Sequence, residues 1–209
     1  MDFKAFLEKT VSVLEKEGVR YAAAGGLVAT LYRAEERLTK DLDFLFLCES
    51  HVEQRAAQII RSVGLIPHEV RKANLEGGPL FAIKRKNTPV WIVAGRGNDT
   101  MPGFDLILPG IPWFENALPR AEKNRIDFKF AKIPCLTIED SIISKLFSFQ
   151  NDQSRRKDLD DLESIFLARH PLELPYLGGQ MKKLGLEIPK LIKTVAPKAL
   201  NLVSRSSSR

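Results

Sequence analysis

The chain is poor in the residues that most often betray a function. Its 209 residues include only two cysteines, Cys48 and Cys135, and three histidines. The cysteines lie in apolar, strand-like surroundings without Cys-x-x-Cys spacing, and the histidines are scattered, so neither a zinc site nor a disulfide framework is expected. Both thiols read as buried and inert. No apolar run reaches the roughly eighteen residues that a spanning helix needs. The start, Met1-Asp2-Phe3-Lys4, lacks the basic-then-apolar pattern of a signal peptide, so a cytoplasmic protein with no membrane partner is the expectation. There is no internal repeat.

What the chain does have is charge and a core. Its formal net charge is +6 and its pI is near 9.3, which makes polyanions such as nucleotides or nucleic acid plausible partners. The excess is spread over Arg71-Lys72, Lys84-Arg85-Lys86, Arg155-Arg156-Lys157 and the C-terminal third, and ordinary solvated faces would also explain much of it. An apolar content of 44% supports an independent core.

Periodicity gives a coarse order of elements. Phe3, Phe6, Leu7, Val11 and Leu14 fall on one stripe of a helix over residues 2–17, with Gly18 placed to stop it. A buried strand over Val19 to Ala24 runs into Gly25-Gly26, followed by a short helix from Leu27 to Arg33 and a strand from Asp41 to Leu47. Ser50 and Glu53 suggest a capping box for a helix reaching Val63. Strands are expected at Leu80 to Lys84, Val90 to Ala94 and Phe104 to Leu108, with Ala94 to Gly103 a mobile loop. Beyond Trp113 the pattern turns helical. Thr137 with Asp140 caps a helix through Phe149, a second helix covers about Arg155 to Ala168, and a third about Pro189 to Val203. Ser204 to Arg209 reads as a frayed end. The expected class is α/β (α+β), a mixed sheet flanked by helices. Residues 1–132 form its core and residues 133–209 a helical C-terminal part.

The most informative stretch is Asp41-Leu42-Asp43-Phe44, just beyond the diglycine. Strand side chains alternate between faces, so Asp41 and Asp43 share one face while Leu42 and Phe44 enter the core. Two carboxylates side by side repel, and oxygen-only ligands of this kind suit Mg²⁺ or Mn²⁺. Asp105 stands alone in the apolar run Phe104-Asp105-Leu106-Ile107. It reads either as a third carboxylate of that site or as a sheet-edge aspartate facing water.

Gly25-Gly26, Arg37, Thr39, Asp41 and Asp43, with Phe104-Asp105-Leu106-Ile107 downstream, resemble the signature of the nucleotidyltransferase superfamily of the DNA polymerase beta type. Leu136-Thr137-Ile138-Glu139-Asp140 through Lys145-Leu146, then Arg156-Lys157-Asp158-Leu159-Asp160-Asp161-Leu162, are similar to its AbiEii-like branch, toxins of abortive-infection and toxin-antitoxin systems. The resemblance spans roughly residues 19 to 165. It departs from the family at Gly26, where a serine is more usual.

The resemblance implies transfer of an NMP from an NTP to a hydroxyl. Asp41, Asp43 and Asp105 would hold the metal, and Asp105 would take the proton of the attacking hydroxyl. Gly25 and Gly26 would let backbone approach the triphosphate. Arg37 and Thr39 match the family's approach to the acidic strand, with the threonine hydroxyl near the phosphates; Arg37 also reads as a surface ion pair. Lys145 is either a triphosphate contact or an exposed helical lysine. Asp158 and Asp161, three apart on one helical face, either brace Lys145 or Arg156 or line the cleft. Basic charge and the toxin-like branch favour RNA, such as a tRNA 3′ end, as acceptor, and imply a possible cognate antitoxin as partner. A protein or small-molecule acceptor shares the same motifs, and so does a non-catalytic, antitoxin-like binding module.

Overall fold

The computed structural model describes residues 2–71, 90–98, 101–110, 113–198 and 200, with the side chains of Arg71 and Val90 left out. The chain opens with helix α1 (Phe3–Lys16), whose first turn is capped by the Asp2 carboxylate accepting from the Ala5 N–H at 2.8 Å. Its stripe Phe6, Leu7, Val11 and Leu14 is buried, and Gly18 leaves the helix at φ +62°, where a side chain would be strained. Then follow β1 (Arg20–Ala24), α2 (Gly25–Tyr32), β2 (Asp41–Leu47), α3 (Val52–Ser62), β3 (Ile66–Arg71), β4 (Val90–Arg96), β5 (Gly103–Ile107) and α4 (Phe114–Lys123). The chain continues through β6 (Arg125–Asp127), β7 (Lys132–Pro134), α5 (Ile138–Asn151), α6 (Arg156–Leu167) and α7 (Leu174–Leu184).

Five strands form one mixed sheet in the order β1-β2-β5-β4-β3. β2 and β5 pair in parallel at its centre, and all its other neighbours are antiparallel. Register and alternation divide its side chains. Leu42, Phe44, Phe104, Leu106 and Val93 go to the face covered by α3, against which α1 packs, and there Phe44 and Phe104 meet edge to face at 5.9 Å. Asp41, Asp43, Asp105, Ala94 and Arg96 go to the other. α5, α6 and α7 pack together beside that second face. This is the expected α/β arrangement with a helical C-terminal part. Among the described residues no helix is long and apolar enough to cross a membrane.

Several expectations give way. Ser50 does not cap α3: the residue before the helix is His51, at φ 51° and without a side-chain capping bond. Ala94, Gly95 and Arg96 continue β4 and Gly103 begins β5, so the connection is shorter than a loop from Ala94 to Gly103. The expected strand at Leu80 to Lys84, residues 99–100 and the end from Ser204 lie outside the described residues. Of the helix expected from about Pro189 to Val203, Lys190–Ile192 make one 3-10 turn, Pro197, which has no N–H to donate, interrupts the stretch, Lys198 and Leu200 are helical, and residues 199 and 201–203 lie outside the described residues. α7 is unrecognised in the sequence, as are β3 and the β6–β7 hairpin, while α4 falls where the pattern turns helical beyond Trp113. Of the two thiols, Cys135 is buried and pushed up to about 12 by that burial, whereas Cys48 is only partly covered.

Candidate active site

β1 ends opposite the acidic strand, with Ala24 paired to Asp43, so the diglycine corner lies directly against that carboxylate. Gly25 is at φ +59°, and a Cβ there would stand 1.8 Å from Asp43 Oδ2. The Gly26 N–H, in the first turn of α2, favours the ionised form of Asp43. A Cβ on Gly26 would lie 2.6 Å from the Thr39 hydroxyl and 3.1 Å from the Arg37 guanidinium. The space a serine would take is thus already filled by Thr39, whose hydroxyl also donates to the Asp41 carbonyl at 3.2 Å.

The central parallel pairing sets Asp43 beside Asp105 and Asp41 beside Gly103. Burial pushes Asp43 up to about 6; the negative charge of Asp105 and, less strongly, Asp41 adds to the rise, while Lys145 and the Gly26 N–H oppose it. Asp41 is exposed, with its Oδ1 accepting from the Gly103 N–H at 3.2 Å. Asp105 is held by Arg96, whose Nη1 bonds Oδ1 and whose Nη2 bonds Oδ2 at 3.0 Å. A Cβ on Gly103 would come within 2.5 Å of Asp41 Oδ1 and 3.2 Å of Arg96 Nη1, so the missing side chain is what lets these groups close over the strand.

A cavity of about 510 Å³ opens on this face. Gly25, Asp43 and Asp105 lie at one side, Lys145, Arg155 and Asp158 at another, and Trp91, Ile107, Trp113, Ile143, Phe147 and Leu184 supply apolar wall. Trp91 and Phe147 stack at 6.1 Å with their planes 20° apart. A wider hollow of about 900 Å³ between the ends of α1 and β2 is lined by Glu17, Arg20, Cys48, His51 and Arg55. Its Glu17 is already paired with Arg55 at 2.6 Å, and none of the motif residues reaches it.

The helical residues separate into two roles. Lys145 is 6% exposed rather than a surface lysine, and its Nζ lies 2.7 Å from both Asp158 Oδ1 and Asp161 Oδ2. Asp161, fully buried, also accepts from Arg33 at 2.7 Å and from both sides of the Arg37 fork at 2.7 and 3.0 Å. Burial alone would raise Asp161, but the Arg37 bond and the Lys145 charge win and hold it below the ordinary carboxylate range. Arg37, Thr39 and Asp161 do not line the cavity, whereas Lys145 and Asp158 do. Asp158 also accepts from Arg155 at 2.5 Å. The alternatives left open at Asp158 and Asp161 therefore resolve as a brace around Lys145, with Arg156 absent from it and Asp158 also facing the cleft.

Among the described residues no three His, Cys, Asp or Glu side chains converge as a ready cage for a metal ion. The donor set nevertheless fits a hard divalent cation. Asp41, Asp43 and Asp105 offer oxygen only and share one face of two paired strands, a donor set of the kind that hard divalent ions prefer. Arg96 was missed in the sequence. It lies two residues beyond Ala94, which pairs with Asp105, but that cross-strand pairing could not be read from Gly95-Arg96-Gly97.

The five-stranded mixed sheet flanked by helices is consistent with a nucleotidyltransferase fold, and solved structures resemble it at the level of the fold. The chain is similar to the antibiotic-resistance factor ANT(2″)-Ia crystallised in complex with adenylyl-2″-tobramycin, at 12% identity and a TM-score of 0.55 over 86% of this chain and 95% of that one. The solution structure of ANT(2″)-Ia superposes with a TM-score of 0.51 at 12% identity, over 99% and 92% of the two chains. An antigenic nucleotidyltransferase-like protein from Paracoccidioides brasiliensis matches at 17% identity and a TM-score of 0.49, over 86% of each chain. No protein-family model matches the sequence. No curated protein matches it either.

Proposed function

We propose that this chain is a metal-dependent nucleotidyltransferase that moves an NMP from an NTP to a hydroxyl acceptor. The observation that carries the reading is the juxtaposition of Asp43 and Asp105 in parallel register, beside Gly25, at the edge of a 510 Å³ cavity. Asp41, Asp43 and Asp105 would hold Mg²⁺ or Mn²⁺, which when bound would neutralise phosphate charge. The acceptor oxygen bonds to the α-phosphorus, the bond from that phosphorus to the bridging oxygen breaks, and pyrophosphate leaves with the electron pair. Asp105 takes the hydroxyl proton. The diglycine corner admits the triphosphate close to backbone. Lys145, although spent on two carboxylates, contributes positive charge at the cavity wall. In this reading residues 1–132 form the catalytic core and 133–209 close one side of the cleft.

Net charge of +6 favours RNA, including a tRNA 3′ end, as acceptor, in keeping with an AbiEii-like toxin and a cognate antitoxin. A small-molecule acceptor is the second reading. It draws on the cavity itself, whose described lining places Asp43, Asp105, Asp152 and Asp158 against only Lys145 and Arg155, and on the adenylylated antibiotic named for the structural neighbour. Incubation with α-labelled NTPs and Mg²⁺ separates them. Label entering total RNA, protein or a small-molecule pool, and vanishing with Asp43→Asn, supports transfer and identifies the acceptor class. No transfer with any of the four nucleotides would favour a non-catalytic binding module.

A further inference from the structure

We infer that Arg96 is a displaceable counter-ion built into the sheet: it occupies the cation-facing side of Asp105, and a divalent ion must expel it to gain that ligand. The inference rests on the metal-binding reading of Asp41, Asp43 and Asp105. Register places Arg96 on the same face as all three, and its fork grips both Asp105 oxygens. Gly103 clears the path, since any side chain there would collide with Asp41 and Arg96 together.

The arrangement explains why three co-facial carboxylates do not form a ready metal cage. Asp105 is turned to a guanidinium instead of toward its neighbours, and Asp41 is turned to the Gly103 N–H. The negative field of Asp41, Asp43 and Asp105 needs a cation, and the chain supplies one of its own. The Arg96 side chain is 49% exposed and Asp105 17% exposed, so the guanidinium can withdraw into water while the carboxylate it leaves must at once be met by another cation. What replaces Arg96 is the incoming ion, so the exchange trades one cation for another. Arg96 acts through Asp105 and touches no reacting atom, which makes it a positioning residue.

The test is Mn²⁺ affinity, followed by the electron paramagnetic resonance of free Mn²⁺, in the full chain without nucleotide. Arg96→Ala should tighten Mn²⁺ roughly two- to tenfold, the range that a solvated ion pair permits. Arg96→Lys keeps the charge but loses the fork and should fall between. Loss of any nearby positive charge would favour a cation, so the decisive arm is the Asp105→Asn background. Displacement predicts that Arg96→Ala changes nothing there, because its partner is gone, whereas a background field effect would persist. Unchanged or weaker binding by Arg96→Ala, or equal tightening in both backgrounds, overturns the inference and leaves the metal reading intact. Absence of Mn²⁺ binding in every variant at millimolar concentration overturns both.

Discussion

Asp43 should destabilise the metal-free protein at neutral pH, and Asp43→Asn should reverse this. The folded-state value of Asp43 is pushed from the ordinary 3.8 to about 6 by burial and by its acidic neighbours. A raised carboxyl binds its proton more tightly folded than unfolded. Its favourable contribution is therefore complete below about pH 4 and lost as pH rises through about 6. Two pH units correspond to an upper bound on the order of 3 kcal/mol, and partial exposure at the cleft lowers the expectation to about 1–3 kcal/mol. Asparagine is neutral and close to aspartate in size and shape. In chelator, Asp43→Asn should match the parent near pH 4 and exceed it by about 1–3 kcal/mol at pH 7.5. Urea unfolding at the two pH values measures this, because titrations elsewhere cancel in the difference between variants. Mn²⁺ should then stabilise the parent at pH 7.5 and the variant much less. A difference between variants that is the same at both pH values would refute the reasoning, since it would owe nothing to the ionisation of Asp43.

Gly25→Ala meets two obstacles, a φ of +59° and a Cβ 1.8 Å from Asp43 Oδ2. It should cost about 1–3 kcal/mol in unfolding free energy and lower nucleotidyl transfer at least about a hundredfold, about the loss expected for a 1 Å misplacement; near-normal transfer would show that Asp43 can be displaced without consequence. Lys145→Met removes the cation shared by Asp158 and Asp161 but leaves Arg33, Arg37 and Arg155 in place. Chemical denaturation should show a loss of about 2–4 kcal/mol, below that of a fully orphaned buried charge, whereas a lysine serving only the nucleotide would lose activity with stability unchanged. Thr137 caps α5 and donates to Asp140 at 2.9 Å. Thr137→Ala should lower stability by about 1–2 kcal/mol in the same assay, and Thr137→Ser should restore most of it.

The amino-terminal half of the site was legible because its signals are local. A strand, a diglycine and two aspartates at a spacing of two are fixed by backbone geometry over a few dozen residues, and β1, α2 and β2 appear where periodicity places them. Asp105 was legible as a suspect, an acid in an apolar strand, but its position was not. β5 lies next to β2 only because β3 and β4 pack outside it, an order that no local pattern encodes. Arg96 was hidden for the same reason. α7 was hidden differently: Gly178 and Gly179 weaken its helical pattern, and Leu177 and Met181 hold it through burial in the shared core.

The charged residues of α5 and α6 mark the limit of sequence reasoning most clearly. Lys145, Asp158 and Asp161 have the spacing of an ordinary solvated face, and propensity cannot tell such a face from a buried brace. The choice is made by Arg37, 124 residues from its partner Asp161. Its fork neutralises an acid that would otherwise be too costly to bury. The arginine that matched the family's approach to the acidic strand thus joins the segment before that strand to α6. The same pairing brings Lys145 to the cavity wall already occupied. Any role that Lys145 has toward a nucleotide must therefore be exercised through its field or by breaking a buried bond, and by either route loss of the cation lowers stability and changes activity together.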